Sequence, residues 1–373
     1  IDEIVQGYAS AARRLHQAGL DGVEVVASHG YLPAQFLNPR VNVRSDGYNG
    51  DLDQRLRFLR EVLAAVRAAT DEQFIIGLRI SADERDSQGL SEDESLAAAV
   101  ALQGQLDYLH VVAGTSASLG GAVHIVPPMA IEPAYLAREA GTFKRQLAIP
   151  LFVTGRINQP QEAELILARG QADVCGMTRA LICDPLMPVK TKRGQVEDVR
   201  ACIACNQACI GHFHRGLPIS CIQHPETGRE LQYGHLTPTS SPKRIMVAGG
   251  GPAGMKAAAV AAARGHQVTL YEAGPQLGGQ VLLAQLLPRR SEFGGASTNL
   301  QREMALAGVQ VVRNTRVDRA LVERERPDLV IAATGAIPYW PAFERTGELQ
   351  IVDAWQVLRN EAKPGRSVLV IDW

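Results

Sequence analysis

Long apolar runs are missing from this 373-residue chain. No stretch of about eighteen apolar residues occurs and no charged-then-apolar leader opens it, so the sequence specifies neither a membrane-spanning helix nor a secretory signal. Basic runs are missing as well. A net charge of -1 and a pI near 6.8 leave no electrostatic footprint for nucleic acid or an anionic membrane surface, and small-molecule chemistry becomes the expectation. Six cysteines in a chain of this length are too few for a disulfide scaffold, and the cytoplasm is the expected compartment. What is present is 46% hydrophobic residues, enough for two buried cores with a connector.

Apolar residues at helical spacing run over 2–19, and Gly19 stands where a helix end favours glycine. A short strand, Val23 to Ala27, follows. The same alternation repeats as helix Arg57 to Ala69 with strand Phe74 to Ile80, then helix Glu92 to Gln103 with strand Tyr108 to Val112. It continues as helix Tyr135 to Leu147 with strand Pro150 to Thr154, and helix Gln161 to Arg169 with strand Ala172 to Gly176. Largely continuous apolar strands between helices predict a parallel sheet buried on both faces.

Polar and glycine residues crowd the C-terminal strand ends, where a (β/α)8 barrel keeps its active site. An open, doubly wound sheet is the alternative. In the barrel reading these are strands 4–8 of a TIM barrel, and three more belong upstream of Ile1. The chain opens without Met and ends at Ser367 to Trp373, which reads as an unfinished strand, so it is expected to be part of a longer enzyme.

At those strand ends, Arg79 is a lone cation on an apolar strand, suited to stabilising a developing anion or to a structural salt bridge. Gly155, Arg156, Thr178 and Arg179 make a phosphate grip from two adjacent loops, with backbone N–H groups and guanidinium charge. His29 and Tyr31, one glycine apart, offer an imidazole and a phenol to one substrate. His124, in a glycine-rich loop, is a further candidate.

From Asp198 to about Gly234 the periodicity stops, and Cys202, Cys205, Cys209 and Cys221 form a C-x2-C-x3-C-x11-C array. Short loops let successive thiolates reach different corners of a cubane iron-sulfur cluster, [4Fe-4S]. Four thiolates also suit structural zinc.

After a linker, Leu236 to Pro242, strand Arg244 to Ala248 leads into Gly249, Gly251 and Gly254 and then an alanine-rich helix. This is G-x-G-x-x-G in the context a dinucleotide pyrophosphate needs. Glu272 ends the next strand, 23 residues after Gly249, where a carboxylate takes ribose hydroxyls. The stretch Leu277 to Gln280, with Gly279, favours FAD, and ADP or NAD(P) remain open.

Taken together, the segments His29 to Pro39 and Asn42 to Gly50, the cysteine quartet and Arg264 to Ala273 resemble the multi-cofactor branch of the Old Yellow Enzyme-like NADH:flavin oxidoreductases. That branch includes trimethylamine dehydrogenase, 2,4-dienoyl-CoA reductase and N-methyl amine demethylases. The resemblance implies a partial FMN-binding barrel over 1–197, a [4Fe-4S] segment with linker over 198–241, and an incomplete Rossmann-like FAD/NAD(P) domain over 242–373. It places Arg79, Gly155, Arg156, Thr178 and Arg179 on FMN and His29 and Tyr31 on the substrate side.

Simple ene reductases have a histidine where Val26 stands here, so activation of a substrate carbonyl is not expected. A second glycine motif is absent after Val368 to Ile371, where Asp372 and Trp373 stand instead. Leu32 to Pro39 is nearer the amine dehydrogenases, while the cysteine spacing is nearer the dienoyl reductase. The resemblance therefore implies oxidation of a small N-methyl amine or amino acid, with hydride to FMN and electrons leaving through the cluster to an electron-transfer flavoprotein. The alternatives are NAD(P)H-dependent reduction of an activated C=C bond, as in an enoyl compound, and a non-catalytic electron-transfer module. The oligomeric state is open.

Overall fold

The computed structural model describes residues 1–342 and 349–371. The chain divides into two compact units, one from Ile1 to Thr191 and one from Lys192 onward.

In the first unit the order is α1 (Asp2–Gln17), β1 (Gly22–Ala27), α2 (Leu32–Leu37), α3 (Leu52–Ala68), β2 (Ile75–Asp83), α4 (Glu92–Leu102) and β3 (Tyr108–Ala113). It continues with α5 (Leu119–Ala122), α6 (Ala137–Gln146), β4 (Leu151–Thr154), α7 (Pro160–Ala168), β5 (Val174–Gly176), α8 (Thr178–Cys183) and α9 (Met187–Lys192). Helix α3 begins before the expected Arg57 because Asp51 and Gln54 form a reciprocal capping box. Ser91 and Glu94 start α4 in the same way.

All five strands are parallel, in the sheet order β1-β2-β3-β4-β5. Strand order decides between the two architectures. A doubly wound sheet reverses at a switch point, whereas consecutive barrel strands stay in chain order.

The central strands are buried on both faces as expected, β3 from Leu109 to Ala113 throughout, but the two faces differ in character. Val25, Ala27, Ile76, Leu78, Ile80, Leu109, Val111, Leu151 and Val153 enter one core with Phe58, Leu59, Val62 and Phe143 of the helices. Each of the Val, Leu, Ile and Phe side chains among them contributes about 1.5–3 kcal/mol when fully buried. The alternate residues, Glu24, Arg79, Tyr108, His110 and Thr154, carry polar groups on the other face.

The second unit adds α10 (Ile210–His214), α11 (Glu230–Tyr233), β6 (Arg244–Ala248), α12 (Pro252–Ala263), β7 (Gln267–Tyr271), α13 (Val281–Ala284) and α14 (Phe293–Leu306). Then come β8 (Gln310–Val312), α15 (Arg319–Glu325), β9 (Leu329–Ala332) and α16 (Ala354–Leu358). Its parallel sheet has the order β8-β7-β6-β9, with the reversal between β6 and β9 that marks a dinucleotide-binding crevice.

The cysteine segment is built onto this unit. Asn299 on α14 donates to Ala201 O (3.2 Å) and Gln223 Oε1 (2.7 Å), and Arg302 pairs with Asp198 (2.6 Å). The strand expected over Ser367 to Ile371 does not form among the described residues. Val368, Leu369 and Val370 are exposed and outside both sheets, and a strand exists only when its backbone is paired. Asp372 and Trp373, on which the missing second glycine motif was argued, lie outside the described residues. Among those residues no helix is long and apolar enough to cross a membrane.

Candidate functional site

Arg79 was expected at a strand end. It stands inside β2, because the strand runs on to Asp83 through a bulge at Ser81, and its Nη2 pairs with Glu24 Oε1 at 2.6 Å. The other carboxylate oxygen of Glu24 is 2.8 Å from His110 Nδ1 and accepts from the Tyr108 hydroxyl at 3.1 Å. His110 Nε2 in turn lies 2.7 Å from Thr154 Oγ1. Burial pushes the Glu24 carboxyl up, but the hydrogen bond and charge of His110, the charge of Arg79 and the Tyr108 hydroxyl outweigh it and hold it below its usual value. Tyr108 is pushed up to about 12, by burial and then by Glu24.

Glu24, Tyr108, His110 and Thr154 were not read from the sequence. Two signals were available: charged and polar residues inside apolar strands, and strand glycines, which mark close approach. At Gly77 a β-carbon would fall 2.1 Å from the Tyr108 ring, and at Gly176 it would fall 1.9 Å from Thr154 Oγ1.

His29 follows β1 in left-handed backbone (φ 60°). It is fixed by its N–H to Ser81 Oγ (3.0 Å), by Ser116 N–H to its carbonyl (3.0 Å), and by Nδ1 against Gly114 O (3.3 Å). Burial, helped by the nearby charges of Arg79 and His110, holds the imidazole below its ordinary value, against the pull of the Gly114 and Ala113 carbonyls. The ring is therefore neutral at neutral pH. The exposed Tyr31 ring sits edge-on to it at 6.2 Å. His124 is placed near the same loops through Gly114, whose missing β-carbon would fall 3.1 Å from the His124 carbonyl carbon. Its own ring bonds Gly120 O (3.1 Å), and Tyr135 OH donates to its carbonyl (2.6 Å).

Arg156 and Arg179 converge on one loop. Arg156, buried with φ 54°, donates from Nη1 to Met129 O (3.4 Å), and Arg179 Nη1 donates to Pro127 O (2.7 Å). Gly155 serves packing as well as backbone access, since a β-carbon there would meet the Leu136 side chain at 3.1 Å. Thr178 opens α8 beside Arg179.

In the second unit each motif glycine answers a separate demand. Gly249 (φ 111°) has no room for a β-carbon, which would lie 2.3 Å from Ala333 O across the β6/β9 switch point. Gly254 would strike Gly249 O at 1.9 Å. Gly251 opens α12 and has nothing within 4 Å of its β-carbon position except chain neighbours, which leaves free approach to its backbone. Glu272 accepts from Gly250 N–H and Gly274 N–H, both at 2.7 Å, and each oxygen keeps a lone pair for a ribose hydroxyl. Gly279 (φ 54°) folds over the loop, its β-carbon position 3.1 Å from Gly251 Cα.

The cysteines gather around Cys205. Burial pushes its thiol up to about 11, and the charges of Cys202, Cys209 and Cys221 all reach it. Ala204 N–H donates to Cys202 Sγ (3.4 Å), and Ser220 N–H to Ala208 O (2.7 Å) ties the loop of the fourth cysteine to the first three. Ala204 and Asn206, on either side of Cys205, are both left-handed (φ 47° and 57°). Among the described residues no group of three or more His, Cys, Asp and Glu side chains is closed up as the ligand set of one metal ion.

Residues 1–198 match the NADH:flavin oxidoreductase / NADH oxidase family, and residues 243–371 match the pyridine nucleotide-disulphide oxidoreductases. The chain is 38% identical, over 99% of its length and 55% of the relative's, to the N,N-dimethylglycine/sarcosine dehydrogenase of Chromohalobacter salexigens. It is also 38% identical, over 100% of its length and 56% of the relative's, to a metal reductase of Desulforamulus reducens. Among solved structures, a 2-naphthoyl-CoA reductase superposes with a TM-score of 0.92 at 30% identity, covering 98% of this chain and 55% of that one. The chain thus spans about half the length of the relatives it matches.

Proposed function

Because this chain belongs to the NADH:flavin oxidoreductase / NADH oxidase family, in the branch that joins a flavin barrel to a dinucleotide-binding domain, we propose that it forms part of an enzyme that oxidises small N-methyl amines or N-methyl amino acids. Both matched families are oxidoreductases, which supports an enzyme over a non-catalytic electron-transfer module.

The observation that carries the substrate class is the state of His29. With Nδ1–H donated to Gly114 O, the ring keeps its lone pair on Nε2, and burial keeps it neutral. An amine arrives protonated and must lose that proton before its C–H can leave as hydride, so a neutral imidazole is the partner it needs. A carbonyl substrate needs paired donors instead, and Val26 supplies none. Tyr31, exposed beside His29, orients the amine.

Arg79 retains a buried Nε without a partner among the described residues, a donor suited to an acceptor on FMN. Arg156, Thr178 and Arg179, with the Gly155 backbone, would hold its phosphate. Cys202, Cys205, Cys209 and Cys221 would hold a [4Fe-4S] cluster. The short spacing of the first three suits a cubane, whose thiolates bind separate corner irons. Gly249, Gly251, Gly254, Gly279 and Glu272 would hold FAD or another adenine dinucleotide, Gly251 offering the open backbone a pyrophosphate requires. FMN, when bound, supplies a hydride acceptor, and the cluster an outlet for single electrons. An electron-transfer flavoprotein is the acceptor this reading implies.

A second reading, NAD(P)H-driven reduction of an activated C=C bond, is favoured by the pyridine-nucleotide family match of 243–371. Incubating the complete protein with sarcosine or with an enoyl-CoA separates the two. Formaldehyde release without NAD(P)H supports amine oxidation, and NAD(P)H consumption with enoyl-CoA alone overturns it.

A further inference from the structure

We propose that Glu24 is a positioning residue for Arg79: it holds the guanidinium by one edge and supplies the countercharge that sets how strongly Arg79 stabilises an anion above the polar face of the sheet. The inference rests on the FMN reading and assigns this chain's own control over the flavin.

Three strands contribute to holding this one carboxylate of β1. Arg79 on β2 takes Oε1 (2.6 Å), Tyr108 and His110 on β3 take Oε2 (3.1 and 2.8 Å), and Thr154 on β4 braces His110 from behind (2.7 Å). Two further positions are reserved for them. Gly77 leaves the space the Tyr108 ring fills on its way to Glu24, and Gly176 leaves the space for the Thr154 hydroxyl.

Stability does not require this arrangement. A partly buried ion pair is weak evidence for stability, since apolar side chains of similar volume serve as well or better. The opposite face of the same strands is filled with Val, Ile and Leu. What the network provides, and an apolar layer cannot, is a fixed cation with a fixed countercharge. Arg79 remains incompletely used within it, because its buried Nε has no partner among the described residues. Glu24 is ionised, and the charge of Arg79 also reaches His29, so the balance of the pair is felt at the proposed base.

Glu24→Gln keeps shape and removes one negative charge next to Arg79. In the complete holoprotein it is expected to raise the reduction potential of the bound flavin by a tenfold change in the reduced/oxidised ratio, about 30 mV for a two-electron couple. Arg79→Gln is expected to lower it by a similar factor, and the double variant to return towards the wild-type value. A Glu24→Gln potential that is unchanged or lower overturns the inference, because a merely structural residue would not move the two singles in opposite directions. Should Glu24→Gln not accumulate as holoprotein, Glu24→Asp keeps the charge and is expected to keep the potential. A tenfold shift in Glu24→Asp, or none in Arg79→Gln, then overturns it. Flavin content is measured first: a wild-type protein without FMN defeats the flavin reading and this inference together, whereas bound FMN with an unmoved potential defeats only the inference.

Discussion

The β-carbon position of Gly254 lies 1.9 Å from the carbonyl oxygen of Gly249, so the first turn of α12 presses directly on the turn that leaves β6. Gly251, between them, faces open space. Two glycines of one motif therefore fail differently when replaced. Gly254→Ala is expected to destabilise the second unit by about 1–3 kcal/mol, as overpacking does. Gly251→Ala has an ordinary φ of -75° and is expected to leave the melting temperature unchanged while weakening adenine-dinucleotide binding at least about tenfold. Thermal melts and equilibrium dialysis on both variants check the contrast.

In the proposed amine oxidation His29 is expected to set the acid limb of turnover. Its pKa is held below the ordinary histidine value, so amine oxidation is expected to decline only as pH falls below that value. His29→Gln should lower kcat/KM by about 10²–10⁴-fold and abolish that limb. In stability the sign is the same. Between the depressed and the ordinary value the unfolded chain binds more protons than the native one, so unfolding free energy rises with pH there, and the variant should lose this slope. Rate profiles and urea melts across pH 5–8 report both effects.

The helix-strand alternation and the dinucleotide motif were legible because they depend on local pattern: β6 and β7 fall where the sequence placed them. The polar face of the first sheet was not. In Val23-Glu-Val-Val and Tyr108-Leu-His-Val-Val, one embedded charge or ring interrupts an apolar run without giving a clear period of two, so the strands read as buried on both sides. Only the register of four strands brings Glu24, Arg79, His110 and Thr154 together. Arg79 itself was visible, but its partner lies 55 positions earlier on another strand, beyond any local signal.

Glu94 holds the loop after α2 to α4. It caps Ser91 and pairs with Arg40 at 2.6 Å, and its carboxyl falls to about 2, chiefly through the Arg40 hydrogen bond. A depressed carboxylate stabilises above its unfolded value and loses that contribution as pH falls towards the native one. Glu94→Gln is therefore expected to cost about 1 kcal/mol at pH 7 and much less near pH 2. Urea unfolding at the two pH values measures the difference.

Cys205 is partly buried and feels the charges of the other three thiols. Cys205→Ser is expected to lose most of the iron and the visible absorbance of a cluster, while the flavin of the first unit stays bound. Retention of both iron and absorbance would assign ligation to other residues.

The proposed redox series depends on what the four thiols bind. Iron, labile sulfide, zinc and flavin should be quantified together in the complete protein, purified without oxygen. The account predicts about four irons with matching sulfide, as a cubane requires, and one FMN per chain. Zinc without sulfide would make Cys202, Cys205, Cys209 and Cys221 a structural site and contradict the proposed redox series.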